Sequence, residues 1–155
     1  MDITPLVAKL REPTYATMTD AETEAAINAI TVVVRRPVTC AAVKAHAIRN
    51  AYWAKIDIGC DASTTATRTL CRNVRAWIED SAGKLETVDM DSPVTVAMLD
   101  QLVSAQMMTA AQRVSLVALA DVTIQWAESV GLSPVGIGLI RNARKVIASE
   151  AANAQ

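Results

Sequence analysis

The stretch TAAQRVSLVALADVTIQWAESV, residues 109–130, has the strongest helical pattern in the chain. It opens with a capping box: the Thr109 hydroxyl can accept the N–H of Gln112, while the Gln112 side chain reaches back to the Thr109 N–H. Apolar side chains then recur at helical spacing, and the clear polar strip is limited to Asp121, Gln125 and Glu128. The sequence therefore predicts one central helix over residues 109–130.

Other helix boundaries follow from the same kinds of signal. A second capping box, Thr19 with Glu22, predicts a helix from Thr19 to about Ile30. Caps, prolines and glycine stops predict further helices from Thr4 to before Pro13, from Thr39 to near Gly59, from Asp61 or Ser63 to Ser81-Ala82-Gly83, from Ser92 to the Met107-Met108 corner, and from about Leu139 to a frayed tail at residues 149–155. The predicted fold is all-α, a single-domain bundle of about six or seven helices over residues 1–155.

One segment interrupts the helical pattern. Thr31-Val32-Val33-Val34-Arg35-Arg36-Pro37 holds four consecutive β-branched residues and closes with a proline, which favours an extended backbone near residues 31–38. A single strand needs a partner to be stable, and a neighbouring chain could supply it. An edge strand, an arm that crosses to another subunit and a loop all remain open at this point.

Composition restricts the class of protein. The chain has 155 residues, of which 52% are hydrophobic and 20% charged, and it contains no Phe. This length fits one ordinary domain, and a surface short of charge suggests burial against other subunits. The net charge of -1 gives no overall attraction for nucleic acid or anionic membranes, and no leader or membrane-spanning run is visible. The three cysteines, Cys40, Cys60 and Cys71, fit buried thiols in a reducing cytoplasm.

Motifs for catalysis or metal binding are incomplete. The single histidine, His46, has no ligand-spaced partners and reads as an ordinary surface or partly buried residue. Asp89-Met90-Asp91-Ser92 resembles the start of a calcium loop but lacks its glycine and final glutamate, so a turn before a helix is favoured. Gly136-Ile137-Gly138 lacks the lysine and preceding strand of a phosphate loop. We therefore expect a non-enzymatic protein without metal or cofactor.

Two basic clusters are the remaining candidates for ligand contact. Arg68, Arg72 and Arg75 recur at helical spacing, and a second cluster contains Arg141, Arg144 and Lys145. Such stripes can hold phosphates, but they also occur as solvated faces or subunit salt bridges. Aromatic stacking partners are nearly absent, which argues against nucleic acid as a partner. A small nucleic-acid-binding or regulatory protein that uses Arg68, Arg72 and Arg75 is the alternative function.

Three segments carry a resemblance to known proteins. They are Pro13-Thr14-Tyr15-Ala16-Thr17-Met18-Thr19-Asp20-Ala21-Glu22 with Ile27-Asn28, Leu85-Glu86-Thr87-Val88-Asp89-Met90-Asp91 with Met98-Leu99-Asp100, and Ala118-Leu119-Ala120 with Trp126-Ala127-Glu128-Ser129-Val130-Gly131-Leu132 and Ile140-Arg141-Asn142-Ala143-Arg144. Together they resemble a family of small helical proteins encoded in the structural-gene clusters of tailed bacteriophages and prophages. The middle of the chain, residues 32–81, lies outside this resemblance.

The resemblance implies a virion structural or assembly role. The expected protein is made in the cytoplasm of the bacterial host and acts as an oligomeric subunit of a neck, head-tail connector, tail or tail-fibre attachment assembly. Its partners would be other virion proteins and copies of itself, and no membrane is involved. Such a subunit works by burying apolar surface against its neighbours. The candidate interface residues are Val32, Val33, Val34, Met98, Met107 and Met108.

Overall fold

The protein is predominantly helical and also contains short strands. The computed structural model describes residues 1–82 and 86–154. Within them, helices dominate and the strands form two two-stranded sheets, so the helical prediction is confirmed and the all-α class is corrected to mainly α. Among the described residues, no helix combines the length and the apolar character needed to span a membrane.

The secondary structure follows the chain as an alternation of short and long helices with brief strands. In order, the elements are α1 (Thr4–Leu10), a 3-10 turn (Pro13–Tyr15), α2 (Asp20–Ala29), β1 (Thr31–Arg35), β2 (Val38–Thr39), α3 (Cys40–Arg49), α4 (Trp53–Gly59), α5 (Thr65–Ala82), β3 (Thr87–Val88), α6 (Pro93–Ser104), α7 (Ala110–Val117), a second 3-10 turn (Ala118–Ala120), β4 (Asp121–Gln125), α8 (Trp126–Ser129) and α9 (Ile137–Asn153). In the sheets, β1 pairs with β4 and β2 pairs antiparallel with β3.

The chain divides into two compact units by its internal contacts. The terminal unit comprises Met1–Val34 and Thr123–Gln155, and the inserted unit comprises Arg35–Val122. In the terminal unit, α9 packs against α1 and α2. Its buried core is almost entirely aliphatic and consists of Leu6, Val7, Leu10, Tyr15, Ile27, Ala127, Leu132, Val135, Ile140 and Ala143. This core joins the two ends of the chain.

The inserted unit has a larger and chemically more varied core. Helix α5 packs against α3 and α4, and α6 contacts both α5 and α7. The core includes thiols, thioethers and aromatic rings among its buried side chains, namely Cys40, Cys60, Cys71, Met90, Met108, Tyr52 and Trp53. A Cβ at Gly59 would lie 2.4 Å from Cys71 Sγ, so only glycine allows α4 to approach α5 this closely. The prediction of buried cysteine thiols is confirmed.

The prediction of a single central helix over residues 109–130 is wrong. The Thr109 capping box is present, but α7 ends at Val117 and β4 follows the second 3-10 turn. In β4, polar and apolar residues alternate, and exposed positions alternate with half-buried ones, which is the pattern of a strand with one covered face. Pairing with β1 overrides the helix propensity of this stretch. It also provides β1 with a partner strand inside its own chain.

Three other helix boundaries differ from the prediction. The helix expected from Thr39 to Gly59 breaks into α3 and α4, because Ala51 adopts a left-handed φ of 58° that ends α3. Helix α5 begins at Thr65, after Asp61 and Ser63, and α9 extends to Asn153, beyond the start of fraying expected at residue 149. The stop predicted at Gly83 lies outside the described residues.

Candidate functional site

The extended segment presents one face to solvent. Along β1, exposed side chains alternate with half-buried ones, and Val32 and Val34 are half-buried. Val33, between them, is 65% exposed. Of the three valines expected at an interface, Val33 is therefore the one whose side chain is available for contact.

The methionines expected at an interface lie in or against the core of the inserted unit. Met108 is 2% exposed, so its assignment as a surface contact residue is wrong. The reason is the tight turn after α6, where Gln106 has a left-handed φ of 61° and the Met107 N–H donates to the Leu102 carbonyl over 2.9 Å. This turn carries Met108 inward. Met98 and Met107 are half-buried and pack against the same core.

Two arginines of the predicted basic stripe are paired with acidic or carbonyl oxygens. Arg72 donates through Nε to the Cys60 carbonyl over 2.8 Å, and its Nη2 lies 3.5 Å from Asp61. Arg75 Nε lies 3.1 Å from Glu79 and 3.6 Å from Asp57. The positive charge that the sequence suggested for this face is thus largely balanced.

The acidic partner Glu79 links α5 to α3. Besides Arg75, it accepts a hydrogen bond of 3.3 Å from Lys44 of α3, whose ammonium also lies 5.1 Å from the centre of the Trp53 ring. The hydrogen bond from Arg75, followed by that from Lys44, lowers the pKa of Glu79. The third arginine of the stripe, Arg68, donates to the Thr65 hydroxyl over 3.3 Å. Arg72 and Arg75 thus tie α5 to α4 and to Cys60 just after it, while Glu79 ties α5 to α3.

The second basic cluster forms a clamp inside the terminal unit. Arg144 donates to Asp20 Oδ1 over 2.9 Å, to the Met18 carbonyl over 2.7 Å and to the Thr23 hydroxyl over 3.0 Å. Arg141 donates to the other Asp20 oxygen over 2.9 Å. Asp20 lies in the first turn of α2, where a carboxylate is also favoured by the helix dipole. The basic cluster is visible in the sequence, but its pairing with Asp20 is not, because Asp20 and α9 lie near opposite ends of the chain.

His46 is more buried than the sequence suggested, with 4% of its surface exposed. Its Nδ1 lies 2.9 Å from the Tyr52 hydroxyl and its Nε2 lies 3.0 Å from Ser115 Oγ. Burial, and secondly the charge of Arg49, lower the pKa of His46, while burial raises the pKa of Tyr52 to about 12. The imidazole is therefore neutral at neutral pH and joins α3 to α7.

Hydrogen bonds join His46, Tyr52 and Ser115 whichever ring nitrogen carries the proton. When the Tyr52 hydroxyl donates to Nδ1, the imidazole proton lies on Nε2 and faces Ser115 Oγ; in the other tautomer, Nε2 accepts from the Ser115 hydroxyl. In either case the three side chains form a polar anchor between α3 and α7.

The segment Asp89-Met90-Asp91-Ser92, which resembles the start of a calcium loop, is a turn before a helix, as predicted. Asp89 accepts the N–H of Asp91 over 2.9 Å, and the Ser92 hydroxyl accepts the N–H of Thr95 over 3.2 Å at the start of α6. Asp91 is also ion-paired with Arg35, which lies 3.2 Å from Asp121 as well. Within the described ranges, no group of three or more His, Cys, Asp or Glu side chains is arranged to hold a metal ion.

The comparisons with known proteins return no relative. No protein-family model, no curated protein and no solved structure matches the chain.

Proposed function

We propose that this protein is a non-enzymatic structural subunit of a tailed-phage virion. It would act as an oligomer at the neck, tail or tail-fibre attachment region, with other virion proteins as partners. Two independent points support the proposal. One is the resemblance of the segments at 13–28, 85–100 and 118–144 to proteins of phage structural-gene clusters. The other is the apolar surface of the inserted unit.

That apolar surface is the observation that carries the proposal. On α3, the exposed residues Ala41, Ala45 and Ile48 follow one another at helical spacing. On α7, the exposed residues Ala111 and Val114 do the same, and the exposed Ala118 follows in the 3-10 turn after α7. Ile48 is 56% exposed and Val114 is 66% exposed. Rows of this kind are expected where a helix packs against another protein, because water otherwise covers a continuous apolar strip.

The balanced arginine stripe favours protein contact over phosphate binding. Arg72 and Arg75 are each held near a carboxylate of their own chain. A nucleic acid would have to replace these partners, so that each contact would exchange one ion pair for another instead of neutralising a free cation. Affinity for nucleic acid depends mainly on such neutralisation and on the counterions it releases.

Purified particles provide the direct test. Phage particles would be prepared from the phage, or from the induced prophage, whose genome carries this gene. They would be purified on a density gradient and analysed by quantitative mass spectrometry. We expect the protein at a fixed number of copies per particle, while an abundant host cytoplasmic protein serves as the contamination control. Its absence from particles, or its loss on washing together with the host control, would overturn the proposal.

Retention on a DNA column tests the alternative. We expect the protein to elute at low salt, and the variant with Gln at positions 68, 72 and 75 to elute with it. Retention that falls steeply with salt and disappears in the Gln variant would replace the structural role with nucleic-acid binding.

A further inference from the structure

The strand pair β1–β4 has a definable register. The Trp126 N–H donates to the Ile30 carbonyl over 2.8 Å, and the Arg36 N–H donates to the Ala120 carbonyl over 2.9 Å. Both bonds fit one antiparallel register, in which hydrogen-bonded positions alternate with non-hydrogen-bonded ones. The even-numbered residues of β1 therefore turn their backbone groups toward β4.

The odd-numbered residues turn their backbone groups the other way. On β1 these are Thr31, Val33 and Arg35, and on β4, by the same register, they are Asp121, Thr123 and Gln125. All six side chains are exposed. Within the part of the chain that the structure describes, the sheet contains only these two strands, so each strand has one open edge. An open edge is a template for another strand.

The open edge of β1 lacks the usual protection at its centre. Edge strands are commonly blocked by lysine, proline or a bulge. Here the central residue is Val33, which is apolar and 65% exposed. Charge occurs only toward the ends, at Arg35 on one strand and Asp121 on the other.

The two open edges complement each other. If β4 of a second copy lies antiparallel against β1, Asp121 falls opposite Arg35, Thr123 opposite Val33 and Gln125 opposite Thr31. Opposite charges then meet and no like charges face each other, which is the favourable arrangement for cross-strand pairs. Two β1 edges paired with each other would place no carboxylate opposite Arg35. Within one copy, Arg35 already binds carboxylates from two segments, so its guanidinium can hold more than one.

We propose that β1 of one copy pairs with β4 of a second copy of this chain. The contact is head-to-tail, so it leaves one open edge at each end and repeats until it closes into a ring or grows as a filament. This inference rests on the proposed structural role and identifies one partner as the protein itself. Each pair of opposed odd-numbered residues would exchange two backbone hydrogen bonds between the copies.

Complementary charge reversals test the pairing. In Arg35→Asp, the new carboxylate would face Asp121 of its own copy and of the next, and in Asp121→Arg the new guanidinium would face Arg35 of both. We expect each variant to raise the dissociation constant for self-association by at least about tenfold, measured by light scattering over a concentration series. An equimolar mixture restores opposite charges at every contact between unlike copies. The mixture is therefore expected to associate again. Mixing the two variants relieves the repulsion between copies but not the repulsion within each copy, so renewed association would report on the contact between copies.

A backbone variant separates assembly from folding. Val33→Pro removes the outward N–H donor at the centre of β1 and leaves the neighbouring bonds to β4 in place. Val33→Thr keeps the donor and the β-branched shape, so it is the matched control. We expect the proline variant to lose self-association and the threonine variant to keep it, with the helical circular dichroism of all variants unchanged.

Each outcome decides the proposal. A monomer at concentrations of hundreds of micromolar, or association that survives both charge reversals and Val33→Pro, overturns it. Association lost with Arg35→Asp and Val33→Pro but kept with Asp121→Arg also overturns it, in favour of two β1 edges. The particle analysis remains independent: a monomer found in virions contradicts the edge contact alone, whereas an oligomer absent from virions contradicts the structural role alone.

Discussion

The terminal and inserted units reach a buried core by different means. The terminal unit joins segments from both ends of the chain, and side chains such as Arg144 and Asn28 make its long-range polar ties. Asn28 forms two hydrogen bonds with the backbone of Val135, accepting its N–H over 3.2 Å and donating to its carbonyl over 2.9 Å. The inserted unit is one continuous segment with a larger core, and its polar contacts include both a local pair, His46 with Tyr52, and a long-range one, His46 with Ser115.

This difference predicts which substitutions lower the stability of each unit most. Bringing the ends of a long loop together costs conformational entropy that the contacts of the terminal unit must offset. Its core is smaller, so a few polar anchors carry more of its stability. The two ends of the inserted unit are joined by a hydrogen bond from the Arg36 N–H to the Ala120 carbonyl. Its stability should be spread over more side chains.

The largest expected effect comes from separating the units. We expect the segment 35–122 expressed alone to remain helical and to melt cooperatively, because its core and the bond that joins its ends are kept. Segments 1–34 and 123–155, mixed as separate chains, should stay largely unfolded, since they lose the covalent link that holds them together. Circular dichroism and thermal melting measure both. A disordered 35–122 segment would remove the basis of the comparison.

The next effect tests the clamp of the terminal unit. Arg144→Leu leaves Asp20 and two backbone carbonyls without their main donor, and we expect a loss of about 2–3 kcal/mol in the free energy of unfolding. Arg141→Leu is the matched control because it removes the second, exposed partner of the same carboxylate and should cost less than about 1 kcal/mol. Urea titrations measure both losses. Equal losses would show that Arg144 is an ordinary surface pair.

The sequence predicts best those features whose partners lie within one helical turn. The caps at Thr19, Thr39, Ser92 and Thr109 are all present because donor and acceptor are three residues apart. Polar and apolar residues alternate over 121–125, which is typical of a strand, but the preceding alanines and leucines favour a helix. Residues 121–125 form a strand because β1 is available to pair with them. In this chain, pairing with a strand distant in sequence overrides the local helix propensity.

Other features had no local signal. The break between α3 and α4 occurs at Ala51, which is neither glycine nor asparagine, so no residue type announced a left-handed backbone. The arginines of α9 were visible as a cluster, but their partner Asp20 lies near the other end of the chain. Likewise, nothing near Met108 in the sequence distinguishes a buried methionine from an exposed one.

A smaller, pH-dependent effect belongs to the inserted unit. The pKa of His46 is lower in the folded protein than its ordinary value near 6.5, because burial disfavours the charged form. As the pH falls below about 6.5, the unfolded chain takes up a proton on this histidine while the folded protein does not, so stability is lost until the pH reaches the folded pKa. The slope cannot exceed about 1.4 kcal/mol per pH unit for one group.

The chain has a single histidine, which makes its contribution separable. His46→Gln should remove the loss of stability just below pH 6.5, and urea titrations at several pH values measure it. The carboxyl groups whose pKa values are lowered, such as Glu79, lose their contribution at more acidic pH. A slope that is unchanged in the Gln variant would show that His46 is not the group responsible.

The smallest effect compares the two capping boxes, one in each unit. Thr19→Ala and Thr109→Ala each remove a side-chain acceptor at a helix start, and we expect each to cost about 1 kcal/mol at neutral pH. The boxes differ in the residue that reaches back, which is Glu22 in one and Gln112 in the other. Hydrogen bonds from the backbone N–H and, secondly, from the hydroxyl of Thr19 hold the pKa of Glu22 below its usual range. The hydroxyl bond, 2.8 Å long, is removed by Thr19→Ala, and acid weakens it in the wild type because protonation removes the charge of Glu22, whereas the Gln112 amide does not titrate. The cost of Thr19→Ala should therefore shrink in acid relative to that of Thr109→Ala, and an identical pH profile for both variants would show that the charge of Glu22 contributes nothing to the start of α2.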